Sequence, residues 1–263
     1  MLVANLLDAL FKAFPLDTAE PWDHVGLSVG DPSSTITGVT CALDATLDNV
    51  RSAHKSGSNV LLTHHPVYIK APDAFKPAES LTPSSSSVVY EAARLGVSVI
   101  SMHTNLDRSA AARTLLPELM GFTASSSLEF VQQPDLLGLG AVADIAQTNL
   151  AELASRASRI FHTQPRVWGN PSHRISRMAF LGGSLGDFGE LALRANVDAI
   201  ICGEAGYHIC QDLSIRGLDV LLLGHDRSEE PFVEILAKAA QQAGVTPASI
   251  ATITHSAQWW TAK

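Results

Sequence analysis

Hydrophobic residues along this chain form short unbroken runs that alternate with stretches of helical spacing. The apolar runs at residues 60–62 and 220–223, and the strand-like segment 97–101, are typical of strands covered on both faces, as in a parallel sheet. In other stretches, for example residues 45–55 just before the first of these runs, apolar side chains recur three and four positions apart, which indicates helices. The alternation of strand-like and helix-like segments predicts an α/β fold, with largely parallel or mixed sheets flanked by helices.

The N-terminal segment is a clear example of helical spacing. Its apolar positions are Leu2, Leu6, Leu7, Leu10, Phe11 and Phe14, with Asp8 and Lys12 between them and Pro15 after them. This pattern predicts an amphipathic helix rather than a signal peptide. No uninterrupted apolar run approaches the ~20 residues that a transmembrane helix needs, so we expect a cytoplasmic protein with no membrane partner.

Composition narrows the choice of partners and cofactors. Hydrophobic residues make up 46% of the chain, enough for a substantial core, and the formal net charge is −8. Lys and Arg are scattered rather than clustered, which argues against duplex nucleic acid as a partner. The three cysteines, Cys41, Cys202 and Cys210, lack CxxC spacing, so we expect neither a disulfide framework nor a thiolate zinc site.

Histidines and acidic residues follow three of the predicted strands. They are His64 and His65, His103 and Asp107, and His225 and Glu229. A lone histidine pair is typical of hydrogen-bonded loop residues, and a glutamate before a helix often only complements the helix dipole. If the three strands are parallel, however, all six residues face one edge of the sheet. The carboxyl edge is where open α/β sheets bind ligands.

The types of these side chains indicate a metal centre. Imidazole nitrogens and carboxylate oxygens without thiolates suit Zn, Mn, Fe or Ni. The five candidate metal ligands exceed one tetrahedral site: His64, His65, Asp107, His225 and Glu229. We therefore predict two divalent metal ions about 3.5–4 Å apart, whose charge exceeds that of the two carboxylates and would favour a bridging hydroxide nucleophile.

Other polar residues near these motifs are candidates for further roles. His103 and Glu204 are the candidate catalytic residues, His103 as a proton carrier and Glu204, with His208, as a substrate contact or proton shuttle. Asp23 and His24 could close the pocket from an N-terminal loop. The competing interpretation is that such residues only orient metal ligands.

Five separated motifs carry a family resemblance over nearly the whole chain. They are WDHVGL at 22–27, THHP at 63–66, HTNLD at 103–107, CGE at 202–204 and GHDRSE at 224–229. In this order they resemble the GTP cyclohydrolase I type 2 homologue family, also called the NGG-interacting-factor-like family. The resemblance implies two intertwined α/β subdomains, 1–125 with the His-His and HTNLD motifs and 126–263 with the GHDRSE motif. It also implies metal ligation by the same five residues and a toroidal homohexamer.

The sequence departs from the family pattern at a few positions. His24 stands where Asn is usual, Cys202 stands where Thr is usual, and residues 108–113 lack the expected glycines. None of these changes removes a metal ligand, although the surrounding pocket could differ.

The resemblance implies a metal-dependent hydrolase whose hydroxide attacks a nucleotide or related small-molecule substrate. If the family name describes the chemistry, the substrate is GTP and its imidazole ring is opened. Two alternatives remain open: a two-metal phosphoesterase or amidase, and a non-catalytic metal-handling ring protein.

Overall fold

The computed structural model describes residues 1–254 and 259–260. Within these residues the strands form two five-stranded sheets. In the first sheet the spatial order is β1 (Gly26–Val29), β4 (Ser98–Ser101), β3 (Val60–Thr63), β2 (Val39–Ala42) and β10 (Ile250–Thr252). In the second it is β5 (Ala141–Asn149), β7 (Arg174–Phe180), β8 (Ala199–Cys202), β9 (Asp219–Leu222) and β6 (Arg166–Trp168).

Both sheets are mixed, with parallel strands at the centre. In the first sheet β10, β2, β3 and β4 are parallel and β1 is an antiparallel edge strand. In the second sheet β7, β8 and β9 are parallel, while β5 and β6 are antiparallel edges. All residues of β2, β3, β4, β8 and β9 are buried. The unbroken apolar runs therefore do correspond to strands covered on both faces, and the predicted α/β fold class is confirmed.

The chain divides into two compact units, each containing one sheet. The first unit comprises Met1–Leu106 and Phe232–Lys263, and the second comprises Asp107–Pro231. The helices of the first unit are α1 (Val3–Ala13), α2 (Leu47–Lys55), α3 (Ser84–Leu95) and α10 (Phe232–Gln242). The short α4 (Thr104–Asp107) ends on the first residue of the second unit. The helices that follow are α5 (Ala110–Leu119), α6 (Leu150–Ile160), α7 (Phe188–Arg194), α8 (Tyr207–Ile215) and α9 (His225–Glu229). The compact units have bounds different from the predicted domains 1–125 and 126–263, which remain a prediction.

Several helices begin where the sequence supplies an N-cap. The side chains of Thr46, Ser109 and Asn149 accept hydrogen bonds from backbone N–H groups at the starts of α2, α5 and α6. The N-terminal helix buries Leu6 and Leu10, as its spacing predicts. In the described residues no helix has both the length and the apolar character that crossing a membrane requires.

The expectation that all three histidine-bearing strands share one sheet edge is wrong. Strands β3 and β4 are parallel neighbours in the first sheet, but β9 pairs with β8 and β6 in the second. The reason is that an apolar run specifies a buried strand without specifying its neighbours. Glu229 ends the short helix α9, shortly before α10 begins at Phe232.

Candidate metal centre

The two adjacent histidines continue the line of β3 beyond its last residue. The backbone N–H of His64 donates to the carbonyl of Ala42 at 3.3 Å, and that of His65 donates to the carbonyl of Leu43 at 2.9 Å. Pro66 follows and cannot donate a hydrogen bond. The backbone therefore fixes both histidines at the carboxyl end of a buried parallel strand. His64 is fully buried and His65 is partly exposed.

His103 reaches the same place from the neighbouring strand. The residue before it, Met102, donates its N–H to the carbonyl of Thr63 at 3.0 Å, which holds the ends of β3 and β4 together. The ring centroid of His103 lies 5.2 Å from that of His64 and 5.7 Å from that of His65. One nitrogen from each ring can be chosen so that all three atoms lie within 4.8 Å of one another. The first unit therefore brings three imidazoles together.

Each of these three rings has its Nδ1 atom next to an oxygen acceptor. Nδ1 of His64 lies 3.0 Å from the carbonyl oxygen of Met102, that of His65 lies 2.7 Å from Oδ1 of Asp44, and that of His103 lies 2.9 Å from Oδ1 of Asp23. Because a carbonyl or carboxylate oxygen only accepts, these contacts assign the Nδ1–H tautomer and make Nε2 the atom with the lone pair. Metal-binding histidines are oriented in this way.

Asp44 was not identified from the sequence as a residue of the candidate metal centre. A signal for it was present, because Asp44 follows β2 as the histidines follow β3, and the two strands are parallel neighbours. Residues just past the carboxyl ends of adjacent parallel strands lie at the same edge of the sheet.

Asp23 is a hydrogen-bonded carboxylate beside this cluster. Its side chain is fully shielded from solvent, and it accepts from Nδ1 of His103 and from the backbone N–H and hydroxyl of Thr104. Burial acts to raise the pKa of Asp23, but the hydrogen bonds from His103 and Thr104 outweigh it and lower the pKa to about 2. Asp23 is therefore an anion that holds the Nδ1 proton of His103.

The second unit contains a pair of candidate ligands on α9. Nε2 of His225 lies 3.0 Å from Oε2 of Glu229, one helical turn later, and Nδ1 of His225 lies 3.0 Å from Oε1 of Glu204. Glu229 is buried, whereas Glu204 is exposed. Glu204, predicted as catalytic, thus orients His225 through Nδ1 in the way that Asp44 orients His65.

Two glycines leave room for this pair. A Cβ atom at Gly183 would collide with Oε1 of Glu229 and lie 3.3 Å from Nε2 of His225. A Cβ atom at Gly203 would lie 2.9 Å from Cα of His225. Gly183 also has φ +66°, a conformation that favours glycine. The backbone at Gly183 and Gly203 therefore packs closely against the α9 side chains.

The remaining predicted residues occupy various positions. Asp107 is half-buried at the end of α4, and His208 is exposed on α8, where its ring packs edge-on against Tyr207 at 5.2 Å. His24 stacks on Tyr68 with ring centroids 4.6 Å apart. The contact of His24 joins the WDHVGL segment to the residues that follow the His-His motif.

The donor chemistry of these residues fits a divalent metal ion. The first unit offers three imidazole nitrogens, and the second offers an imidazole next to a buried carboxylate. Burial raises the pKa of Cys41 to about 12, and burial with the nearby Cys210 and Glu204 raises that of Cys202 to about 12, so both remain neutral thiols. Histidine and carboxylate residues of this chain could therefore hold a metal ion, as nitrogen and oxygen ligands.

The fold and the site together define a class of protein. It is an α/β protein with two mixed sheets and with histidines grouped at the ends of strands. The family model described as Duf34/NIF3 (NGG1p interacting factor 3) matches residues 1–257. A GTP cyclohydrolase 1 type 2 homolog of Clostridium acetobutylicum is 30% identical over 248 residues, covering 92% of this chain and 90% of that protein. The chain belongs to the Duf34/NIF3 family, which confirms the resemblance seen in the motifs.

Solved structures show the same fold at lower identity. A Staphylococcus aureus hypothetical protein superimposes with a TM-score of 0.88 at 23% identity, covering 100% of this chain and 99% of that one. A Bacillus cereus protein related to NIF3 gives 0.89 at 16% identity with the same coverage. Reduced HcgD from Methanocaldococcus jannaschii gives 0.78 at 22% identity, covering 96% and 97% of the two chains.

Proposed function

We propose that this protein is a metal-dependent hydrolase that acts on a nucleotide or a related small molecule. The observation that carries the proposal is the common orientation of His64, His65 and His103, each with Nδ1 next to an oxygen and Nε2 presented as the acceptor nitrogen. A structural role does not require three imidazoles that are held in this way with ring nitrogens close together. Metal ligation does require imidazoles that are grouped and oriented by such contacts.

The proposed metal ligands are those that the family resemblance implies, namely His64, His65, Asp107, His225 and Glu229. The imidazoles would bind through Nε2, and the two carboxylates would offset part of the cationic charge. Two bound divalent ions, of Zn, Fe, Mn or Ni, would supply an activated water nucleophile and stabilise negative charge on the substrate. The protein would contribute fixed ligand orientation, through Asp44 at His65 and Glu204 at His225.

His103 has two roles compatible with its position. Its Nε2 could serve as an additional nitrogen ligand, or it could carry a proton between the substrate and solvent. Its side chain is 17% exposed, so it is accessible to a small molecule. In the second role Asp23 would hold the ring in place through its contact with Nδ1.

The substrate class is proposed from the names of the relatives. Proteins of Clostridium acetobutylicum and Clostridium perfringens that are 30% and 28% identical to this chain are named GTP cyclohydrolase 1 type 2 homologs. GTP is therefore the first compound to test, with hydrolytic opening of its imidazole ring as the expected reaction. Other nucleotides, phosphoesters and amides complete the panel.

Metal content measured on natively purified protein tests the ligand assignment. We expect two ions per chain in the wild type and loss of metal in the double variant His64→Ala/His225→Ala. His54→Ala is a matched control, because His54 is an exposed histidine on α2 outside the motifs. Less than one ion per chain in the wild type, or two ions retained by the double variant, would overturn the assignment.

Turnover by the metal-loaded protein tests the hydrolase part of the proposal. We expect product from at least one nucleotide of the panel, and no product from the double variant. If metal binds tightly and exchanges readily while no compound is processed, the hydrolase proposal is rejected in favour of a metal-handling protein.

The homohexamer that the family resemblance implies has its own test. It predicts a mass of six chains in light scattering after size-exclusion chromatography.

A further inference from the structure

The N-terminal loop contributes a residue that reaches the histidine cluster. Asp23, the second residue of the WDHVGL motif, lies 80 positions from His103 in the sequence, yet its Oδ1 lies 2.9 Å from Nδ1 of His103. The same Oδ1 accepts from the backbone N–H of His24 at 2.7 Å, and Oδ2 accepts from the backbone N–H of Thr104 at 3.1 Å. Both carboxylate oxygens are therefore held by backbone donors while one of them meets the imidazole.

This arrangement requires a carboxylate rather than an amide. Each oxygen of Asp23 faces a fixed backbone N–H donor, so an Asn side chain would place its NH₂ group against one of them. The carboxylate cannot rotate away without breaking contacts to Thr104, whose hydroxyl also accepts a hydrogen bond from the N–H of Glu20 at 2.9 Å. Asp23 thus has a fixed position, and it can fix the ring of His103.

We infer that Asp23 is a positioning residue, which holds His103 in the Nδ1–H tautomer and thereby directs Nε2 towards the metal centre. The inference rests on the proposed function in one respect, because it treats His103 as part of the proposed metal centre. It extends the centre to the WDHVGL loop, for which the family resemblance supplies no ligand. It requires no pH change, because the carboxylate acts by accepting a hydrogen bond from Nδ1.

The tautomer of His103 can be measured directly in the metal-free full-length protein. Two-dimensional ¹H–¹⁵N spectra of the imidazoles at pH 8 distinguish a protonated Nδ1 from a protonated Nε2, and the His103→Gln variant assigns the signals. We expect the wild type to show protonated Nδ1 and unprotonated Nε2 at His103. A wild-type ring with its proton mainly on Nε2 would overturn the inference, whatever the behaviour of any variant.

Two variants separate positioning of His103 from simple anchoring of the loop. Asp23→Ala removes the acceptor, and we expect a mixed or reversed tautomer at His103 and a loss of about 10–100-fold in Co²⁺ affinity. Thr104→Val removes one anchoring hydroxyl but leaves the contact between Asp23 and His103. We expect Thr104→Val to keep the wild-type tautomer at His103. Its Co²⁺ affinity should stay within about twofold of the wild-type value, a much smaller change than removal of an orienting partner causes.

These experiments on Asp23 give an answer even if the hydrolase proposal fails. If no substrate is turned over, the tautomer and the Co²⁺ affinity still report on Asp23. If Asp23→Ala folds, keeps protonated Nδ1 at His103 and binds Co²⁺ as the wild type does, Asp23 only anchors the loop and the inference is wrong. Should both variants lose affinity equally with the tautomer unchanged, the same conclusion follows.

Discussion

Nδ1 of His65 lies 2.7 Å from Oδ1 of Asp44, and the two residues follow the neighbouring parallel strands β3 and β2. The pairing of adjacent strands thus brings an orienting carboxylate to a candidate metal ligand. A corresponding contact joins Glu204, which follows β8, to His225, which follows β9. In each unit a carboxylate beyond one strand supports a histidine beyond the next.

Asp44→Ala is expected to weaken metal binding without unfolding the protein. Loss of the acceptor allows the ring of His65 to rotate and to change tautomer, which lowers metal affinity by about 10–100-fold. Calorimetric titration with Zn²⁺ or Mn²⁺ measures the change. The control is Asp48→Ala, an exposed aspartate in the first turn of α2, which should bind metal as the wild type does. Equal affinities for Asp44→Ala and the wild type would rule out an orienting role.

Gly183→Ala is expected to disrupt the pair on α9. The new Cβ would collide with Oε1 of Glu229, and the backbone conformation at φ +66° costs about 1–2 kcal/mol for a residue with a Cβ. We expect a lower melting temperature together with reduced metal content.

Gly186→Ala separates the two effects in that experiment. Gly186 also has positive φ, +48°, but a Cβ there meets no atom within 4 Å. This variant should lose stability to a similar degree while retaining its metal. Loss of metal in both variants would show that backbone strain, rather than contact with Glu229, is responsible.

Glu91→Gln is expected to lower stability in a pH-dependent way. Hydrogen bonds from Arg94 and Arg51 lower the pKa of Glu91 to about 2. Because the folded-state value lies below the unfolded-state value of about 4.3, the carboxylate stabilises the fold above that pH, and the contribution is lost as the pH falls towards 2.

Urea unfolding at several pH values measures the effect of Glu91→Gln. Because both arginines are largely exposed, we expect a cost of about 1 kcal/mol or less at pH 7, shrinking between about pH 4 and pH 2. Glu118→Gln, at an exposed glutamate on α5, is the matched control. A difference between Glu91→Gln and wild type that stayed constant down to pH 2 would contradict the assignment.

Trp22 provides a spectroscopic test of whether metal binds beside His103. Its side chain is 55% exposed, and its ring centroid lies 6.1 Å from that of His103 in an edge-on arrangement. Binding of paramagnetic Co²⁺ at the histidine cluster should quench the fluorescence of Trp22. We expect the saturable quenching to be lost in Trp22→Phe and retained in Trp168→Phe. Full quenching in Trp22→Phe would place the ion away from this ring.

Much of the strand structure could be predicted from local sequence. Unbroken apolar runs identified β3 and β9, and the strand-like segment 97–101 identified β4, because strands covered on both faces are rich in apolar side chains. The edge strands β1 and β6 were missed, since their residues are mostly half-buried or exposed and lack such a run. The C-terminal strand β10 was missed for the same reason.

By itself the sequence determined the α/β class, the family and the identity of the candidate donors, because strand burial and motif order are local properties of the chain. The tertiary structure decided which sheet each strand joins and which oxygen meets each imidazole. The contact of His65 with Asp44 spans 21 positions, and that of His103 with Asp23 spans 80. Such hydrogen bonds depend on the direction of side chains brought together by strand pairing, and no local pattern encodes that direction.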